Sequence, residues 1–581
     1  MALQIYTNHI GYEYSRPKKA VLRLDAYSDK PKIWLIDTKG IEMEVEFVGP
    51  TNIEHWSEDD YYSIDFSIIE QPGTYWLKAV SGNVKCIREI QIMDYVLPLR
   101  MVNTARAHLK GERSSGEWQK ADKELTFQGD KAGKVDLHGG WYDATGDFGI
   151  HLTQLSHTGV FNPVQSVLPA YVAFCTVEQI RNRSSKDCRI LEKELLDEAY
   201  WGADYCRRLS VPNSGFYRSV DRGEAFTDEQ HRKIDYEYFH YTGHEEDKSY
   251  LAEKIEDKNY QVGLRSGAGI CIAVLAQAAR FGCKSGEVSE EEYLSLAQSK
   301  YAYYQLNNKE HLSDKKENFL DAYEALCCAV ELYKSTGQQN YLNDCRNYYR
   351  KIESYIVKMK NGIWFTSMDN EMYFHPSDEG LPLIAMIKYL ELEEDKELCK
   401  KVEQTIKQAM LHVLSVSKTP FGYAGFTYKK IGDTEVNRYF FPHDTKASPW
   451  WQGENARIAS LATAMLLASA IFKEEEFGKR IVDFAVSQLN WIMGLNPFDS
   501  CMIEGFGRNN IQYFYKGQYD FLNSPGGICN GITSRESDDL GIEFIMEPCS
   551  TCDDNWRWAE QWLPHVSWFL FAWGCLLKSE G

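Results

Sequence analysis

Over the first hundred residues, apolar and polar positions alternate in short runs. Residues 20–24, 32–36, 61–66 and 73–78 (AVLRL, KIWLI, YYSIDF and GTYWLK) combine this alternation with β-branched and aromatic side chains, and Lys39-Gly40 and Gln71-Pro72-Gly73 supply turn chemistry around them. Short strands at this spacing predict a β-sandwich over residues 1–95. After DYVLP at 94–98 the period lengthens to three and four residues, which marks amphipathic helices. Such stretches begin near residues 98, 163, 190, 261, 290, 317, 340, 381, 397, 452, 476 and 558, most clearly at 456–466, ARIASLATAML. Twelve helices make six hairpins, the number that closes an α/α toroid. Residues 96–581 therefore read as a second, helical domain and the chain as mainly α. Long loops rich in Gly, Trp, Tyr, Asp and Asn lie at 131–160, 210–260, 417–451 and 496–556, and loops of that length in a compact domain are usually functional.

Composition narrows the function classes. A chain of 581 residues is too long for one ordinary hydrophobic core, which agrees with two domains. The formal charge of −20, with 84 acidic against 64 basic residues and no local basic patch, argues against nucleic acid or anionic lipid as a partner. No run approaches the ~18 apolar residues of a membrane span. Aromatics make up 13% of the chain; most serve as core, yet such rings also stack on the apolar faces of sugars. The cysteines number 15, an odd count, and include the adjacent pair Cys327-Cys328. The opening MALQIYTNHIG has neither a basic nor an apolar leader region. Together these predict reduced thiols and a cytoplasmic location. Cys549-x-x-Cys552 lacks a second pair with zinc-site spacing, so neither a metal nor a cofactor is expected. Oligomeric state is not legible.

The chemistry concentrates in three stretches. At 137–149, LHGGWYDATGDFG places Asp143 and Asp147 on either side of a flexible Ala-Thr-Gly segment, with glycines that permit tight backbone conformations. Such a turn can aim two carboxylates at one water, although a D-x-x-x-D loop suits calcium binding or helix capping equally well. At 438–455, RYFFPHDTKASPWWQGEN sets His443, Asp444, Trp450, Trp451 and Glu454 together as polar groups beside stacking rings; the alternative is a loop followed by a helix start with Glu454 in its first turn. At 553–562, DDNWRWAEQW surrounds Glu560 with indoles.

The first of these stretches is similar to the GGWYDAGD signature of glycoside hydrolase family nine, to which many cellulases belong. Other segments follow in that family's order. NHIGY at 8–12 resembles the start of its immunoglobulin-like N-terminal domain, LLDEAYWGADY at 195–205 an early barrel helix and NSGFY at 213–217 the loop after it. NWIMGLNP at 490–497 with GFG at 505–507 resembles the family's late motif. The resemblance implies an (α/α)6 barrel with an N-terminal immunoglobulin-like β-sandwich, hydrolysing β-1,4 glycosidic bonds with inversion. By position it makes Asp147 the base, Asp143 the second holder of the water, and Glu560, opening the last helix, the acid. An inverting glycosidase needs a protonated carboxyl and a carboxylate ~6.5–9.5 Å apart. Trp556, Trp558 and Trp562 are expected to disfavour the ionised form of Glu560. Trp141, Tyr142, Asp553, Asp554 and Trp556 join the 438–455 group as candidate substrate contacts.

Two departures from the family pattern stand out. Thr145 is an extra residue between the aspartates, and the His-His-Arg cluster of many family cellulases is absent from 508–533, where NNIQYFY and SPGGICN stand instead. The chain looks like the family's exo-β-D-glucosaminidase branch, trimming short oligosaccharides such as chitosan- or chitobiose-derived disaccharides from the non-reducing end. Its acidic loops, with Asp553, Asp554 and Glu454, suit a protonated 2-amino group. The alternatives are a β-1,4-glucanase or cellodextrin β-glucosidase, and an inactive carbohydrate-binding protein.

Overall fold

A computed structural model describes residues 3–578 except 26–28, 54, 96, 154–155, 158–161, 182–185, 222–231, 238, 245–249, 255–258, 283–284, 369–370, 430–434, 441–450, 520–521 and 549–551. Nine strands open the chain: β1 (Leu3–Tyr6), β2 (Tyr12–Glu13), β3 (Lys19–Leu24), β4 (Lys32–Ile36), β5 (Glu42–Glu44), β6 (Phe47–Thr51), β7 (Asp60–Asp65), β8 (Gly73–Ser81) and β9 (Val84–Met93). They form two sheets, β1-β3-β7-β6 and β2-β9-β8-β4-β5. The period-2 pattern explains the layering. In β3, Ala20, Leu22 and Leu24 enter the sandwich core with Ile33, Leu35, Tyr62, Ile64, Leu77 and Ala79. Val21, on the opposite face of β3, joins the barrel's core with Tyr6, Trp56 and Tyr61. One sheet thus has both faces buried, the second against the barrel. The weakly alternating β5 and β6 were not expected from the sequence, because most of their residues are exposed.

Fourteen α-helices follow among the described residues: α1 (Leu99–Gly111), α2 (Gly116–Ala121), α3 (Leu168–Ile180), α4 (Lys186–Leu209), α5 (Ala268–Phe281), α6 (Glu290–Asn307), α7 (Phe319–Thr336), α8 (Gln339–Glu353), α9 (Leu381–Leu390), α10 (Lys396–Val416), α11 (Asn455–Ser469), α12 (Glu476–Ile492), α13 (Trp556–Ala559) and α14 (Leu563–Lys578). Helices α3, α5, α7, α9, α11 and α14 pack each against the next, and α14 meets α3 to close the ring. Helices α4, α6, α8, α10 and α12 pack outside their inner partners, while α1, first in sequence, backs α14. This is the (α/α)6 toroid. Composition sorts the layers. Inner helices such as α5 and α9 are apolar nearly all round, whereas outer α8 buries only one stripe, Tyr341, Leu342, Cys345, Tyr349 and Ile352.

Two helix starts fall later than the apolar pattern suggests. The inner α3 begins at Leu168, with proline in its first turn, and not near 163. Near 261 the chain makes a short strand and a 3-10 turn, and Gly267, at φ +106°, delays α5 to Ala268. Among the described residues, no helix is long and apolar enough to cross a membrane.

Trp56 couples the two domains. It lies at 4% exposure with its ring stacked on Phe440 at 5.4 Å and within 6.4 Å of Phe421, Tyr439 and Trp491. The 8–12 motif docks on the late motif, as Asn8 Nδ2 donates to Asn490 Oδ1 at 2.7 Å and His9 contacts Asp499 at 3.0 Å. Within the helical layer, the starts of the inner helices are tied together. Val164 N donates to Asp378 Oδ2, Gly380 N to Ser460 Oγ, Ser266 Oγ to Asn162 Oδ1 and Arg265 N to Asp321 Oδ1. The inner helices therefore run parallel, and their N-terminal ends converge on one face. Helix N-termini favour negative groups, so that face suits carboxylate chemistry.

Candidate active site

Both predicted aspartates sit on this face, in a loop held by the elements beneath it. Gly139 and Gly140 take φ +112° and +71°, and a Cβ on Gly140 would fall 2.8 Å from the Tyr205 ring. Trp201 Nε1 of α4 donates to Gly140 O at 2.9 Å, so α4 helps to seat this turn. The loop then closes on itself. Asp143 N donates to Gly149 O and Asp147 N to Ala144 O, both at 2.9 Å. Asp147 Oδ1 accepts from Gly149 N at 2.9 Å, and Asp143 Oδ1 from Trp562 Nε1 at 3.3 Å. Asp143 is buried and Asp147 half-buried, which leaves the second carboxylate reachable by solvent.

Glu560 is the C-cap of the one-turn helix α13, in extended backbone (φ −60°, ψ 136°), three residues ahead of α14. It does not open the last helix, as the sequence suggested. The extended link has a purpose: Ala144 pairs with Trp562 as an antiparallel bridge, and Leu563 N donates to Asp143 O at 3.3 Å. Thr145, the extra residue, donates Oγ1–H to Gln561 Oε1 at 2.9 Å and its N–H to Gln561 O at 3.3 Å. The aspartate loop is stitched to the glutamate segment along its length. On the far side of Glu560 lies the 524–530 segment: Asn530 N donates to Glu560 O at 2.8 Å and Asn530 Nδ2 to Glu560 Oε2 at 3.3 Å.

The remaining candidates divide. The Trp141 ring is wholly buried against Gly202, so it offers no face to a sugar and instead supports the loop. Tyr142 is also internal, with its hydroxyl accepting from Ser115 N at 3.0 Å. Glu454 is turned inward at 1% exposure, where it accepts from Tyr423 Oη at 2.9 Å and pairs with Arg457 at 2.6 Å. The sequence placed it in a helix's first turn or a sugar site; its charge is spent on Arg457. The Arg557 guanidinium lies over the Trp451 and Trp556 rings, 3.8 and 4.5 Å from their centroids; the first ring is buried and the second half-buried. Asp553 is exposed. Burial raises the pKa of the half-buried Asp554 above the ordinary carboxylate value, with Arg557 opposing and Asp553 reinforcing. His443, Asp444 and Trp450 lie outside the described residues.

Sequence reasoning missed His151, Gln561, Asn530 and His565. His151 is buried, and one donor atom each from Asp143, Asp147 and His151 lie within 4.8 Å of one another, the arrangement among the described residues that could hold a metal ion. A histidine four residues after Asp147 was the available signal. The other three carry no local pattern and become visible only when distant segments meet.

Two carboxylates on one loop, bonded through its backbone to the extended segment that carries a third carboxyl group, suit hydrolysis in which water is activated on one side and a leaving oxygen protonated on the other. The profile of glycosyl hydrolase family 9 matches residues 101–523, and that of the cellulase N-terminal ig-like domain residues 2–83. Among solved structures, the chain is similar to a metagenome-derived glycoside hydrolase family 9 endoglucanase (16% identity, 99% of both chains covered, TM-score 0.66). It is likewise similar to a family member from Bacteroides ovatus (16%, 99% of both chains, TM-score 0.63). An endoglucanase from the termite Nasutitermes takasagoensis aligns with 83% of this chain and 99% of its own (17%, TM-score 0.52). No curated protein matches.

Proposed function

Because the chain belongs to glycosyl hydrolase family 9 and is thus a glycosidase, we propose that it cleaves β-1,4 bonds with inversion, using Asp147 as base, Asp143 to hold the water and Glu560 as acid. The observation that carries this reading is the stitching of the Asp143–Asp147 loop to the Glu560 segment through Thr145, Ala144 and Asp143 backbone contacts. It fixes base and acid relative to each other, which is what concerted protonation and water attack require.

For substrate we propose a short oligosaccharide, attacked at its non-reducing end, with glucosamine preferred there. Support comes from the 524–530 segment, which lies against Glu560 and Gln561 where many cellulases of the family carry His-His-Arg. Asp553 and Asp554 are the acidic candidates left for the amine, Asp553 exposed and Asp554 half-buried beside Arg557. Glu454 gives no support, since Arg457 already neutralises it. A second reading, a β-1,4-glucanase, is favoured by the solved neighbours that are named endoglucanases. Purified protein should be offered glucosamine, N-acetylglucosamine and glucose disaccharides and a longer oligomer of each, with the nascent anomer followed by proton NMR. Initial α-anomer and single-sugar release from glucosamine ends are expected. Initial β-anomer would refute inversion, and internal cuts in a glucose oligomer would favour the glucanase.

A further inference from the structure

A chain of neutral hydrogen bonds ends on Glu560. It starts at Ala456, in the first turn of α11, whose N–H has no carbonyl partner within its own helix. That N–H donates to His565 Nδ1 at 2.7 Å. A ring nitrogen that accepts carries no hydrogen, so in the neutral imidazole the proton sits on Nε2. His565 is fully buried, and burial pushes its pKa down to about 3, which keeps the ring neutral at working pH. Nε2 faces Asn530 Oδ1 at 2.7 Å and donates to it. This fixes the amide of Asn530 the right way round, with its nitrogen toward Trp556 O at 2.8 Å and Glu560 Oε2 at 3.3 Å. Both amide hydrogens are then used.

We infer that Asn530 and His565 are positioning residues for the acid: they hold Glu560 Oε2 as the hydrogen-bond-accepting carbonyl oxygen and so place the proton for the leaving group on Oε1. A protonated carboxyl has one accepting oxygen and one O–H, and a donor held against Oε2 decides which is which. The inference rests on Glu560 being the general acid. Among the described residues, the titratable groups on the segments bonded to that of Glu560 are Asp143 and Asp147 of the aspartate loop, Asp553, Asp554 and Arg557 of its own segment, Cys529, whose thiol burial pushes up, and the neutral His565; residues 524–530 carry no charge. The relay thus orients the carboxyl without adding a charge to it. It also gives the SPGGICN segment a task, since its last residue supplies the donor.

The test compares two substrates of whichever sugar the wild-type enzyme removes. In the disaccharide the leaving oxygen needs a proton; in the β-glycosyl fluoride, fluoride departs without one. Asn530→Ala and His565→Leu should each lower kcat on the disaccharide about 30- to 100-fold, as expected for a misplaced reacting group. KM and the fluoride rate should stay within about threefold. Asn530→Asp, which keeps the acceptor for His565 but loses the donor, should show the same split, and covers the case in which a smaller side chain unsettles the fold. Equal losses on both substrates, or no loss on the disaccharide, overturn the relay. Glu560→Gln run alongside separates the two claims. If it cleaves the disaccharide normally, the acid assignment falls and the relay with it; if it shows the split while the Asn530 variants do not, the relay alone falls.

Discussion

Replacing Trp56 by alanine tests whether the sandwich is a structural buttress of the barrel. Trp56 is 4% exposed, yet it belongs to the N-terminal domain, and each of its aromatic partners, Phe421, Tyr439, Phe440 and Trp491, belongs to the helical one. Truncating a buried tryptophan costs about 3–5 kcal/mol, and here the loss falls wholly on the interface between domains. Against a typical total of about 5–15 kcal/mol this is enough to separate their unfolding. Trp56→Phe is the informative control. The indole Nε1 is buried without a hydrogen-bond partner among the described residues, so phenylalanine removes an unmet donor worth about 1–3 kcal/mol while losing part of the stacking. The two terms oppose, and a net cost under about 2 kcal/mol is expected. Scanning calorimetry and guanidinium melts give the readout: one transition in the wild type and Trp56→Phe, two in Trp56→Ala. A wild type that already melts in two steps, or a Trp56→Ala cost below about 1 kcal/mol, would refute the buttress.

Asp147→Asn and Glu560→Gln should each remove about 10²–10⁴-fold of turnover with unchanged melting, and steady-state rates near wild type in either would undo the role assigned to it. Glu112, at the end of α1, sits behind the aspartate loop, where its carbonyl accepts from Tyr142 N at 2.8 Å. Burial raises its pKa to about 7 from 4.5, so the native state binds the proton more tightly than the unfolded chain. Its contribution is therefore fully present below about pH 4.5 and lost as pH rises through 7, about 3 kcal/mol in all. Between pH 5 and 8 the wild type should lose stability relative to Glu112→Gln in urea melts; parallel curves would count against the buried carboxyl. Removing residues 1–95 should yield insoluble barrel, because Phe421, Phe440 and Trp491 lose their cover; a soluble, active product would contradict this.

Most of the architecture was legible because its cause is local. Apolar spacing along α6, α9 and α12 puts their starts at 290, 381 and 476, where the structure has them, and the alternation in β3, β4 and β8 reflects a real two-faced burial. Prediction slipped where a single residue overrides the pattern, as Gly267 does ahead of α5. The aspartates were legible for a similar reason, since glycine-flanked carboxylates form a contiguous motif. Orientation was not. Trp141 and Tyr142 look like sugar platforms by type, but positive φ at Gly139 and Gly140 turns the chain so that both rings go inward. Glu454 likewise reads as an acidic site residue until Arg457, one turn along, and Tyr423, from another loop, are seen to claim it.

The two departures from the family pattern are one feature in three dimensions. Thr145 reaches Gln561 Oε1, and that same oxygen accepts from Ser524 N at 2.7 Å while Gln561 Nε2 returns a bond to Ser524 O at 3.0 Å. Gly527 lies so close to Gln561 that a Cβ there would fall 2.4 Å from its side chain. An extra residue in the aspartate loop and a replaced segment 379 positions later in sequence, from 145 to 524, therefore meet on the residue adjacent to Glu560. Neither change makes physical sense alone. Without Thr145 the loop has no hydroxyl at Gln561, and without the small residues of SPGG the Gln561 side chain has no room to bridge. A change near Asp147, the proposed base, that is answered by a change near Glu560, the proposed acid, preserves their relative position, and that is the quantity the proposed inverting mechanism depends on. Substituting Thr145 and Ser524 together should thus cost less than the product of the single losses, since both act through one amide.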